Sequence, residues 1–296
     1  LRLFPLRFTL EALTRTQFPG PAANFFRSAL GPALRSLVCD SQCLDPASCP
    51  DGEGCVYAAS FESRTGASRK PPRPFLIRAS HLDQAAFAPG ETYTVDLFVF
   101  DTRPNTVASY VEAVRRLAAA GFAAGPGASR ALARLAAVTN LADGHPWSKD
   151  RPPLRLPLAS PPAATSRIRI LFETPTELKH EAHPAARPEF PVLYARLRAR
   201  IAALELAYGS GTVTPAPSPA LAENIRLISF HATAVPGSRR SARTGQVHPL
   251  TGFTGAAEYE GELGPFLPWL RAGQWTGVGR QTVWGHGQYA LDLPLP

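Results

Sequence analysis

The sequence predicts an α+β protein built from two tandem βαββαβ units. Two observations carry that expectation. The order of strand and helix patterns in residues 1–146 restarts in residues 167–296, and a proline-rich stretch separates the two runs. Within each run the apolar residues alternate at period two where a strand is expected and recur at i, i+3, i+4 where a helix is expected.

Leu6, Phe8 and Leu10 alternate with Arg7 and Thr9, which gives a first strand with one buried face, and Pro5 marks an edge or a bulge. In FFRSALGPALRSLVC, residues 25–39, the side chains of Phe26, Leu30, Leu34, Leu37 and Val38 share one helical face and leave Arg27 and Arg35 for a ligand. Tyr93, Val95, Leu97 and Val99 form a strand. Val107, Tyr110, Val111, Val114, Leu117 and Ala118 then mark a helix that Gly121 stops. The glycine-rich turn GFAAGPGASR precedes a strand over 131–138.

Prolines 152, 153, 157, 161 and 162 forbid regular pairing, so a linker is placed at 147–166 between domains 1–146 and 167–296. The second half opens with a strand in RIRILFETPT (167–176) and a helix over 188–208, followed by a Gly/Pro-rich gap and a strand over 225–232. A basic loop, a strand in GFTGAAEYEG and a short helix on Leu263, Phe266, Leu267 and Leu270 come next, with Pro265 tolerated in the first turn. A glycine-rich loop finally runs into a strand over 288–293. Each unit should be an antiparallel sheet with helices on one face, the other face lying open to a nucleic acid.

The charge balance agrees with such a partner. Thirty-one basic residues face 23 acidic ones, a formal net charge of +8, and the isoelectric point is near 9.7. Only Lys70, Lys149 and Lys179 are lysines, and arginine both forks phosphate and stacks on bases. A GC-rich coding sequence would enrich Arg together with Ala, Gly and Pro, so the excess only supports the reading. No stretch approaches the roughly 20 apolar residues of a membrane span, and the first residues show no leader pattern. A cytoplasmic location without a membrane partner is expected.

GQWTGVGRQTVWGHGQYAL, residues 273–291, resembles the glycine-rich loop that ends CRISPR repeat endoribonucleases, GhG followed after about five residues by GxG, where h is hydrophobic. It supplies Gly277, Gly279, Gly285 and Gly287, with Arg280 where that family usually has lysine. FETPTELK (172–179), residues 248–270 and the arginine-bearing helix of the first half resemble the same family in the same order. The chain is thereby identified as similar to pre-crRNA-processing endoribonucleases of the RAMP superfamily, with a divergent type IV-system branch as one placement. The resemblance implies two ferredoxin-like (RRM-like) domains with a C-terminal glycine-rich loop.

It also implies binding of the CRISPR repeat hairpin, metal-independent cleavage of pre-crRNA by 2′-hydroxyl attack to a 2′,3′-cyclic phosphate, retention of the crRNA product, and other CRISPR effector subunits as partners. In the loop, glycines would let backbone N–H groups approach phosphate and Arg280 would fork an oxygen, with Trp275, Trp284 and Tyr289 as stacking surfaces. Core or hinge roles for these aromatics are the competing reading. The basic segment PGSRRSARTGQ (236–246) resembles the family's arginine-containing segment, with Arg239 and Arg243 as carried-over residues and Arg240 beside them as an RNA contact.

Many family members place a catalytic histidine in or near the first helix, whereas here none precedes His81. The chemistry is therefore expected to be arginine-assisted, through Arg27, Arg35, Arg239 and Arg243, which cannot act as bases but can align and stabilise a phosphorane. The missing histidine equally suits a catalytically inactive crRNA-binding subunit. A small-molecule enzyme is disfavoured, since GVGRQTVWGHG precedes a terminal strand instead of opening a helix. Cys39, Cys43, Cys49 and Cys55 lie in one segment as C-x3-C-x5-C-x5-C. Their irregular spacing argues against bound zinc, and four thiolates would in any case leave a structural site with no catalytic position, so no cofactor is expected.

Overall fold

A computed structural model describes residues 1–39, 43, 49, 54–62, 71–123, 130–159, 164–181, 183–240, 247–249 and 251–293. The first half contains β1 (Arg2–Ala12), α1 (Ala22–Val38), α2 (Val56–Phe61), β2 (Phe75–Arg78), β3 (Thr92–Val99), α3 (Pro104–Ala120) and β4 (Ala133–Asn140). Its sheet runs β2-β3-β1-β4, every pairing antiparallel, which is the ferredoxin-like order. A short β5 (Leu154–Arg155) follows and pairs with Arg2 and Leu3 of β1.

The second half repeats the plan. It contains β6 (Arg167–Thr176), α4 (Phe190–Tyr208), β7 (Arg226–Val235), the hairpin β8 (Ser238–Arg240) and β9 (Val247–Pro249), then β10 (Gly252–Glu260), α5 (Leu267–Thr276) and β11 (Tyr289–Asp292). Its sheet runs β7-β10-β6-β11, the same order again. The protein is thus a tandem of ferredoxin-like units.

Alternation sorts each strand onto two faces. Phe4, Leu6, Phe8 and Leu10 of β1 and Tyr93, Val95, Leu97 and Val99 of β3 join α1 and α3 in the first core. The opposite face does not lie wholly open as alternation alone suggested. Leu3, Leu76, Phe98 and Phe100 from that face belong to the second core, beside Ile168, Phe172, Tyr194 and Trp269. Phe98 meets Trp275 with ring centroids 5.4 Å apart, and Tyr208 Oη donates to Pro72 O across the halves at 2.6 Å.

The proline-rich stretch also differs from expectation. Prolines 153 and 157 flank β5 without interrupting it, and Leu156 and Leu158 are buried in the second core. An edge pairing of two residues needs few ladder donors, so flanking prolines are compatible with it. Because Phe98 is shared between the halves, Phe98→Ala should lower stability by about 3–5 kcal/mol. Denaturant unfolding checks this, and a loss below about 1 kcal/mol would mean that the two halves do not share a core.

The open face of the second sheet is electrically satisfied. Arg167 pairs with Glu258 at 2.7 Å, Arg226 with Glu260, and Arg169 with Asp292 at 4.0 Å. On the first sheet Arg7 forks Asp96 through two bonds of 2.8 and 2.9 Å. Guanidiniums already held by carboxylates are poor phosphate ligands, so the sheet faces are less suited to RNA than the sequence suggested.

Candidate functional site

Residues 277–288 enter from α5, whose last turn ends at Gly277 in a positive-φ conformation, φ 69°. The loop folds on itself: Val278 N–H donates to Gly287 O at 2.9 Å, and Gly287 N–H donates to Pro175 O at 3.1 Å. Gly277 N–H bonds Gly273 O and Gly285 N–H bonds Thr282 O. These buried amides are consumed inside the chain, so the expected phosphate cradle of glycine N–H groups is corrected for Gly277, Gly285 and Gly287. The glycines instead permit close backbone approach, since a Cβ on Gly279 would lie 2.3 Å from Glu177 O.

The loop reaches the surface at Gly279, Arg280 and Gln281. Arg280 Nη1 lies 2.8 Å from Glu177 Oε1, with the arginine half-exposed and the glutamate buried. Its backbone N–H donates to Glu177 O at 3.1 Å, so strand β6's continuation fixes the arginine from two sides. Arg280 therefore presents a guanidinium whose charge is partly neutralised.

The middle of the loop, Thr282–Trp284, is a turn of 3₁₀ helix that docks on α1 and β2 of the first half. A Cβ on Gly285 would stand 2.8 Å from the Ala23 side chain, and Gln288 Nε2 donates to Gly285 O at 2.8 Å and Ile77 O at 3.4 Å. Docking brings Trp284 onto Arg27, whose guanidinium carbon sits 3.8 Å from the indole centroid and 5.2 Å from that of Phe61. Planar stacking of this kind orients a guanidinium.

The aromatic expectations divide accordingly. Trp284 is a wall for Arg27, and Trp275 packs on Phe98. Tyr289 is fully buried and donates to Leu270 O at 2.7 Å, so it is a core residue and no stacking surface.

Arg35 lies elsewhere. It is two helical turns from Arg27, about 12 Å along the axis. Its guanidinium is 5.8 Å from the Tyr57 centroid, and Nη2 donates to Cys43 O at 3.4 Å. Arg27 is thus brought to the glycine-rich loop and Arg35 to the cysteine segment.

Val235 pairs with Gly252, Thr176 with Phe253, and Phe172 with Tyr289, so the β8–β9 hairpin and the glycine-rich loop leave the same end of the second sheet. Arg239 stands opposite His248 and Arg240 opposite Val247 in this hairpin. Arg243 lies outside the described residues.

Three residues escaped the sequence reading. Glu177 anchors Arg280. Phe61 stacks behind Arg27. Arg78 sits at the junction of the halves with its guanidinium carbon 4.6 Å from the Phe98 centroid, and burial pushes it below its usual pKa while Glu173 and Asp96 oppose that shift. Glu177 lies in the FETPTELK segment without a role assigned to it there, Phe61 and Arg78 fall in no motif, and only the tertiary structure assembles the neighbours of all three.

His286 is buried within the loop. Burial lowers its pKa, and Glu177 partly opposes the shift. A histidine depressed on folding contributes stability above its unfolded pKa of about 6.5 that is lost as pH falls toward the folded value. The melting temperature should therefore drop on acidification below about pH 6.5, and His286→Gln should flatten that part of the profile. An unchanged profile in the variant would move the effect to another group.

Burial and the neighbouring Cys55 thiol push Cys39 up to about 11. Among the described residues no group of three or more His, Cys, Asp or Glu side chains could hold a metal ion. No described helix is long and apolar enough to cross a membrane.

The sequence profile of the family described as CRISPR-associated endoribonuclease Cas6 matches residues 170–289, and a profile described as an N-terminal domain matches residues 1–152. No protein of curated function matches. Among solved structures, a Cas6 product complex is 19% identical with a TM-score of 0.56, the match covering 99% of this chain and 100% of that one. Cas6 of Thermus thermophilus is 16% identical with a TM-score of 0.58, covering 98% of each chain. A partial Cas6-RT-Cas1–Cas2 complex is 14% identical with a TM-score of 0.60, covering 99% of this chain and 46% of that one.

Proposed function

We propose, from the match of residues 170–289 to the CRISPR-associated endoribonuclease Cas6 family, that this chain belongs to that family, binds the CRISPR repeat hairpin and cleaves pre-crRNA without a metal ion. The observation that carries the reading is the docking of the glycine-rich loop on α1, which stacks Trp284 against Arg27 at the end of the second sheet where the arginine hairpin emerges. The 2′-hydroxyl of the nucleotide before the scissile bond attacks the adjacent phosphorus. The P–O5′ bond breaks, leaving a 2′,3′-cyclic phosphate and a 5′-hydroxyl.

Alignment and charge stabilisation are what these residues can supply. Arg27 faces the developing phosphorane, Arg239 and Arg243 hold the flanking phosphates, and Arg240 and Arg280 extend the RNA contact. Product retention follows if the hairpin contacts outlast the reaction. The likeness to a complex containing Cas1 and Cas2 supports other CRISPR proteins as partners.

The absence of a histidine before His81 favours the second reading, a crRNA-binding subunit without cleavage. Incubation with the cognate repeat RNA in EDTA, with mapping of product ends, separates the two. Cleavage to a cyclic phosphate, reduced at least about tenfold in Arg239→Ala, is the expected result. Binding without cleavage in every sample would make the protein a guide-holding subunit.

A further inference from the structure

We propose that Arg200 is a positioning residue for cleavage: from α4 it holds the terminal carbonyl of α5 and so fixes the direction in which the glycine-rich loop leaves that helix. Arg200 Nε donates to Thr276 O at 2.6 Å, and Thr276 is the last residue of α5. The role rests on the function proposed above, because the direction of the loop matters only if the loop serves cleavage.

The two helices touch at a glycine. A Cβ on Gly273 would stand 2.8 Å from Leu197 Cδ1, and Arg200, three residues beyond Leu197 on α4, reaches the end of α5 from there. Other carbonyls near that end are already taken. Leu270 O accepts from Tyr289 Oη at 2.7 Å, and Gly273 O accepts from Gly277 N–H at 2.8 Å. The last turn of α5 carries no basic residue of its own, so the cation at the negative end of its dipole comes from α4.

This arrangement is costly for the arginine. The residue is half-buried, and Nη2 is shut from solvent with no hydrogen-bond partner among the described residues. Burial lowers its pKa to about 10, so it remains charged at neutral pH with the end of a helix as its acceptor. Replacing an enclosed charge by an apolar side chain of similar size is often neutral or stabilising, so stability alone does not account for Arg200.

The loop does account for it. Gly277 follows Thr276 at φ 69°, where the chain turns out of α5, and Val278 N–H and Gly287 N–H then close the loop. A displaced Thr276 carbonyl would re-aim that turn. The shift would be carried to Thr282–Trp284 and to the indole on which Arg27 stacks.

The full chain carrying Arg200→Met, which keeps an unbranched side chain but no donor, tests the proposal beside wild type and Arg200→Lys. In hydrogen exchange without RNA, the amides of 277–288 should exchange at least about tenfold faster in the methionine variant, the size expected for losing a bond from a charged donor, while those of α4 keep wild-type protection. The melting temperature should move by no more than about 4 °C. Single-turnover cleavage at saturating protein should fall about tenfold with RNA affinity within a few-fold, and lysine, which still carries a charged donor, should recover part of both losses. Unchanged loop exchange, or faster exchange in α4 and the loop alike with an early melt, would overturn the proposal, as would a loosened loop that cleaves at the wild-type rate. If wild type itself does not cleave, the function proposed above fails, and the loop exchange of Arg200→Met still decides whether Arg200 places the loop.

Discussion

Arg27→Ala should lower single-turnover cleavage of the cognate repeat RNA by about 10²–10³-fold while weakening RNA binding only a few-fold. The expectation follows from where the guanidinium is held. Trp284 and Phe61 stack on it at 3.8 and 5.2 Å, so its orientation is fixed before substrate arrives. A preorganised cation opposite developing charge acts mainly in the transition state, and its removal therefore falls on the rate at saturation.

Arg27→Lys should recover little, because an ammonium keeps the charge but loses planar stacking and the forked donors. Trp284→Ala should give an intermediate loss by freeing the arginine without removing it. Thermal melts of all three variants separate catalysis from docking. If Arg27→Ala cleaves normally but melts early, the arginine serves only to join α1 to the loop.

The parts of the fold that sequence patterns exposed are those with one wet face. Phe26, Leu30 and Leu34 form a stripe because the opposite side of α1 meets solvent, and β6 reads as a strand because Arg167, Arg169, Leu171 and Glu173 point outward. β2 escaped notice for the converse reason. Phe75 and Ile77 enter the first core and Leu76 the second, so FLIR shows no alternation, and four residues give no period to measure. The short α2 was missed on length alone, and Phe61 with it.

The site was legible in position but not in partnership. The glycines of 277–287 marked where the backbone turns, yet their spacing could not say that the amides pair with Gly273, Thr282 and Pro175. Arg27 and Arg35 share a helix and looked equivalent in sequence. Only the approach of Trp284 to one and Tyr57 to the other separates them. Contacts between sequence-distant segments carry this distinction, and no local pattern encodes them.

Gly287→Ala should destabilise the protein by about 3 kcal/mol or more and lower cleavage by at least about 10²-fold. Gly287 has φ 71°, and an added Cβ would stand 1.9 Å from Val278 O, a backbone atom that no side-chain rotation can move. Relief requires separating residues 278 and 287, whose hydrogen bond closes the loop, and that movement carries Thr282–Trp284 away from α1. Gly90→Ala provides the matched control: its φ of 90° brings comparable backbone strain, but nothing lies within 4 Å of the added atom. That variant should lose only about 1–2 kcal/mol and keep full cleavage. Denaturant melts and single-turnover rates measured together check the pair. Equal mildness of the two substitutions would show that the Val278–Gly287 contact does not hold the loop on α1, and Arg27 would then need another means of orientation.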